Sequence, residues 1–60
     1  MTPTTFTAWR ERLGLNTVQA AKALGCSRTT IQAYEAGRSP IPRYVALACA
    51  ALAMGLPPHP

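Results

Sequence analysis

From Ser27 to Gly37 the sequence reads SRTTIQAYEAG, and its polar side chains are of the kinds that hydrogen-bond base edges. At 100° per residue on a helix, Ile31, Tyr34 and Thr30 fall on one side and Arg28, Thr29, Gln32, Ala33 and Ala36 on the other. The second set is a candidate reading face for a nucleic acid. Arg28 matches the two acceptors of guanine, Gln32 an adenine edge or a phosphate, Thr29 a base edge, and the Ala33 methyl a thymine methyl. A merely solvated helix face is the alternative for the same residues. Catalysis has no comparable constellation. The one histidine, His59, sits in a Pro-rich end, and there is no Ser/His/Asp set, carboxylate pair or metal-ligand spacing. No enzymatic activity, cofactor, metal or small-molecule ligand is therefore expected.

Charge is unevenly placed. The 60 residues include six Lys or Arg and two Asp or Glu, for a net charge of +4, and every charged side chain lies between Arg10 and Arg43. A chain this short makes one small domain, which buries only about 60% of its unfolded surface and has no room for a deep pocket. The charge-free stretch from Tyr44 to Leu56 falls short of the ~20 apolar residues of a membrane span, so it predicts a buried helix. The polar start MTPTT is not a signal peptide, and a cytoplasmic protein is expected. Cys26 and Cys49, in apolar contexts, read as reduced core residues. Arg10 lies on the stripe of Phe6, Trp9 and Leu13, where a guanidinium needs an acid. Glu11 is adjacent and points elsewhere, so the expected structural ion pair is Arg10 with Glu35.

Caps and glycines divide the chain into four helices. Thr2 caps the first, with Pro3 at its first position and Gly14 as its stop. Asn16 and Gln19 form the two ends of a capping box for the second, whose inner stripe is Val18, Ala21 and Leu24 and whose stop is Gly25. Ser27 caps a third helix running to about Ala36, ended by Gly37. Pro42 starts the fourth, which Gly55 stops. The connection between the second and third helices is short and glycine-led, which favours the steep crossing of a helix-turn-helix. No run alternates with period two. The expected fold is all-α and four-helical, with a domain over residues 1–56 and a Pro-rich tail over 57–60.

The segment LNTVQAAKALGCSRTTIQAYEAG, Leu15 to Gly37, resembles the helix-turn-helix family of the lambdoid phage repressors and Cro proteins, the Xre family. The resemblance rests on Ala21, Gly25, Ser27, Ile31 and Glu35 at matching spacings and on the flanking RERLGL of Arg10 to Leu15, and it covers most of the chain. It implies a compact lambda-repressor-like domain that places the third helix in the major groove of double-stranded DNA, with Arg28 and Thr29 deepest. It also implies phosphate contacts at the start of the second helix and before the fourth, here Thr17, Arg38, Ser39, Arg43 and Tyr44. Ser27, which caps the reading helix, is grouped with them. Where the family often has Gln, this chain has Thr17. The resemblance supports the Arg10–Glu35 pair as well.

The expected function is a transcriptional regulator, most simply a repressor acting as a homodimer on a palindromic operator and potentially on its own promoter. A helix apolar all round must be buried all round, and a small domain covers only one side of it. The other side of the fourth helix is then a dimer interface involving Leu52, Met54, Leu56 and Pro57; ordinary surface alanines are the competing reading. The second function class is an antitoxin-like or adaptor module whose apolar fourth helix binds a different protein.

Overall fold

The computed structural model describes residues 1–60 and contains four α-helices without strands: α1 (Pro3–Arg12), α2 (Thr17–Leu24), α3 (Arg28–Ala36) and α4 (Arg43–Ala53). The expected all-α class and helix-turn-helix pairing of α2 with α3 are observed. Local chemistry explains each start. The Thr2 hydroxyl accepts from the Thr5 N–H at 3.1 Å while the Thr5 hydroxyl accepts from the Thr2 N–H at 2.9 Å. Asn16 and Gln19 make the same reciprocal pair at the head of α2, at 2.8 and 2.9 Å. Ser27 accepts from the Thr30 N–H at the head of α3. Pro42 is the cap residue of α4 rather than its first helical residue, and it supplies no side-chain hydrogen bond.

The turn between α2 and α3 depends on Gly25. Its φ of +74° is left-handed, which lets the Cys26 N–H reach back to the Ala21 carbonyl at 3.0 Å and turns the chain directly into Ser27. Nothing lies within 4 Å of where a Cβ would sit, so conformation rather than space selects glycine there.

The core contains Phe6 and Trp9 from α1, Ala20 and Ala21 from α2, Ile31 and Tyr34 from α3, and Val45 and Cys49 from α4. Phe6 is fully buried and meets the rings of Trp9 and Tyr34 at 5.4 and 5.6 Å between centroids, the second edge-on. The Trp9 indole N–H donates to the Cys49 carbonyl at 2.9 Å, tying α1 to α4. One expectation fails in α2. Val18 is 43% exposed, and the inner side is Ala20 and Ala21 with Leu24 half-buried. The reason is spacing: two adjacent methyl side chains let α3 and α4 approach the α2 backbone closely, so the smallest apolar residues rather than the most hydrophobic ones face inward.

Both cysteines are free thiols, Cys49 buried and Cys26 half-buried. Burial pushes the Cys49 thiol up from 9.0 to about 11, and it also raises Tyr34 above its ordinary value. Groups that stay neutral to higher pH in the fold than in the open chain stabilise it below their unfolded pKa and lose that contribution as pH rises toward the folded one. The urea midpoint is therefore expected to fall between about pH 9 and about pH 11. Cys49→Ala should flatten part of that fall, with Tyr34 and Cys26, both also raised by burial, responsible for the rest. An unchanged profile in Cys49→Ala would refute the assignment.

Candidate nucleic-acid interface

Helix α3 is seated by one side and open on the other. Ile31 is fully buried and Tyr34 nearly so, with Thr30 half-buried beside them. Arg28, Thr29, Gln32 and Ala36 are exposed, and Ala33 is half-buried. The four side chains assigned to base reading thus share the outer side of α3, three of them on its surface. Ser27 commits its hydroxyl to the helix start, accepting from the Thr30 N–H at 3.2 Å and lying 3.0 Å from the Thr30 hydroxyl. This fixes the end of α3 from which Arg28 projects.

The residues assigned to phosphate flank this end of the domain in sequence and differ in exposure. Thr17 opens α2 and is half-buried, Arg38 is exposed and Ser39 half-buried in the α3–α4 loop, and Arg43 and Tyr44 open α4 with Tyr44 72% exposed. A feature not foreseen from sequence joins them. The Arg43 and Tyr44 N–H groups at the head of α4 make no hydrogen bond within the chain, as is also true of the first two N–H groups of α2 and α3, while the Val45 N–H donates to the Pro42 carbonyl at 3.0 Å. Unpaired N–H groups at a helix start, with their partial positive charge, suit a phosphate oxygen.

Arg10 and Glu35 form a two-pronged ion pair. The Arg10 Nε donates to Glu35 Oε2 at 2.7 Å and its Nη2 to Oε1 at 3.1 Å, while Nη1 donates to the Leu15 carbonyl at 2.9 Å. Both side chains are less than one-fifth exposed. The hydrogen bonds that Arg10 donates to Glu35 raise its pKa further above the ordinary value. These contacts link α1, the turn after it and the inner edge of α3. Glu11 is exposed and unpaired. Arg28, Arg38 and Arg43 make no ion pair either, so their charge is fully available to a polyanion.

Residues 4–60 match the helix-turn-helix domain family. The chain belongs to this family. No curated protein and no solved structure gives a significant match. Membership in the helix-turn-helix family supports DNA binding and a regulatory role, in keeping with the open side of α3 and the unpaired arginines around it. No helix of this helix-turn-helix protein is long and apolar enough to cross a membrane.

The residues assigned to a dimer interface divide. Leu52 is half-buried and packs on the core, whereas Met54, Leu56 and Pro57 are exposed. Leu47, absent from the sequence-based assignment, is 61% exposed on α4.

Proposed function

We propose that this chain is a sequence-specific regulator of transcription, a repressor of the lambdoid repressor and Cro type, which binds a palindromic operator in double-stranded DNA as a homodimer in the cytoplasm. The DNA-binding unit spans residues 1–56, and its own promoter is among its targets. The observation that carries this reading is the division of α3: Ile31 and Tyr34 are locked in the core while Arg28, Thr29 and Gln32 stand exposed on the opposite side. In this reading Arg28, Thr29, Gln32 and Ala33 meet base edges in the major groove. Thr17, Ser27, Arg38, Ser39, Arg43 and Tyr44 meet phosphates and set the register. The unpaired N–H groups of Arg43 and Tyr44 at the head of α4 support the last two assignments.

Selection of bound fragments from a random DNA pool tests the proposal. The recovered motif is expected to be an inverted repeat with half-sites about one helical turn, roughly 34–36 Å, apart. A direct repeat, or no enrichment, would refute it. On the selected site, log affinity should fall linearly with log salt concentration with a slope near −0.9 for each phosphate neutralised. Arg38→Ala and Arg43→Ala should each reduce that slope by about one per subunit and weaken all sequences alike. An unchanged salt slope in either variant would remove that arginine from the phosphate set.

A further inference from the structure

Between α1 and α4 lies an open, mostly apolar groove of about 380 Å³. The buried Trp9 and Cys49 form its floor, and Ala8, Ala50 and Ala53 are exposed along its edges. One charged side chain lines it, Arg12, which is exposed and has no ion-pair partner. None of the residues assigned to DNA lines this groove, and neither do Met54, Leu56 and Pro57.

We infer that the groove docks an acidic amphipathic helix of a different protein, its apolar side chains seated over Trp9 and one Asp or Glu paired with Arg12. A further step rests on the DNA-binding reading above. Because the groove and the DNA-facing residues are separate, the chain is an adaptor that holds an acidic partner at its DNA site.

The chemistry of the groove selects that occupant. An extended peptide draws affinity from backbone hydrogen bonds to a sheet edge, and this fold contains no strand. Recognition here runs through side chains, the mode in which an amphipathic helix lays its apolar side into a groove. Charge decides the rest. A segment that covers the groove removes water from Arg12, and a desolvated cation without a partner is costly, so the segment must bring a carboxylate to it. The net charge of +4 acts in the same direction at longer range and speeds encounter with an acidic partner.

A second copy of the chain lacks the required charge. From Tyr44 to Leu56 it carries no charged side chain, so an apolar α4 laid in the groove brings no carboxylate. Of the two acids, Glu35 is held by Arg10, and Glu11 lines a different depression with Thr4 and Thr7. Two copies also set +4 against +4.

Random peptides of about 16 residues, displayed on phage and panned against the full chain without DNA, supply the probe. The recovered sequences should place apolar residues at i, i+3 or i+4 and i+7 and be enriched in Asp and Glu. A fluorescein-labelled synthetic copy should bind with a Kd of about 1–100 μM in about 0.15 M salt, measured by anisotropy. Its amide chemical-shift changes should centre on Ala8, Arg12, Ala50 and Ala53. Arg12→Glu, checked for helicity by circular dichroism, should weaken binding at least about tenfold, and a peptide with lysines in place of its acids should bind Arg12→Glu better than the wild type. No enrichment, or equal affinity for wild type and Arg12→Glu, would overturn the inference. So would shift changes centred on the outer side of α3, which would make the peptide a DNA mimic, or sedimentation showing a dimer that excludes the peptide. On DNA selected as above, the peptide should bind within about threefold of its affinity for the free chain, and mutual exclusion of peptide and DNA would overturn the adaptor role. A chain that binds the peptide in this groove yet binds no DNA would refute the DNA-binding reading and leave the docking site standing.

Discussion

Replacing Glu35 by Ala is expected to lower the free energy of unfolding by about 2–4 kcal/mol, whereas Glu11→Ala should change it by less than about 0.5 kcal/mol. The two carboxylates differ only in place. Glu35 holds two nitrogens of the Arg10 guanidinium, and the third is bonded to the Leu15 carbonyl, so on loss of Glu35 the cation is still tied to a site where its side chain is 17% exposed. An uncompensated charge in a fully buried pair costs about 3–5 kcal/mol, and the residual exposure here reduces that figure. A domain of this size has only roughly 3–9 kcal/mol in total, so the loss is a large fraction. Urea melts of the two variants provide the comparison, with Glu35→Gln expected to fall between Glu35→Ala and the wild type because it keeps one acceptor. Equal, small losses for Glu35→Ala and Glu11→Ala would refute the assignment. In the proposed DNA-binding reading the consequence reaches function, because Glu35 lies on α3, and releasing it removes one of the links between α3 and α1.

Helix boundaries and the Arg10–Glu35 contact were legible in the sequence for the same reason: each follows from groups that must be satisfied locally or by elimination. Asn16 with Gln19, Ser27, and the positive-φ glycines specify where helices begin and end with little regard to tertiary packing. An arginine on an apolar stripe in a chain with two acids leaves few possible partners. The rotation of α2 was not legible, because hydrophobicity favours Val18 as an inner residue while close helix approach favours Ala20. Only the assembled packing decides between them. The Trp9–Cys49 hydrogen bond is equally hidden, since any of several carbonyls could accept from the indole. In α4 the sequence reading put Leu52 with Met54, Leu56 and Pro57 on the outer side and left out Leu47. Leu52 turned inward and Leu47 outward because Val45 and Cys49 set the buried edge of the helix. For α3, periodicity anticipated which side is open. The base each of its exposed side chains would meet depends on a docked duplex, which helix geometry alone does not specify.

Arg28→Ala is expected to cost about 1–3 kcal/mol at one base pair of each half-site and to make the four bases at that position nearly equivalent, while leaving discrimination elsewhere intact. Arg28 is the first residue of α3, exposed and without an ion pair, so no structural duty competes with DNA contact and the stability of the variant should stay within about 0.5 kcal/mol of the wild type. Its position is what separates it from Arg38 and Arg43. Those two lie outside α3, in the loop and at the head of α4, where contact with a phosphate carries no direct base information. Competition binding against operators changed one base pair at a time distinguishes the two kinds of arginine. Loss of preference confined to one symmetric pair of positions identifies base contact, and a uniform drop in affinity with a shallower salt slope would reassign Arg28 to a phosphate. Arg28→Lys sharpens the test: it keeps the charge but not the planar two-pronged donor, so it should preserve most nonspecific affinity and lose much of the discrimination. If Lys restores discrimination as well, charge rather than the geometry of the guanidinium reads that base pair.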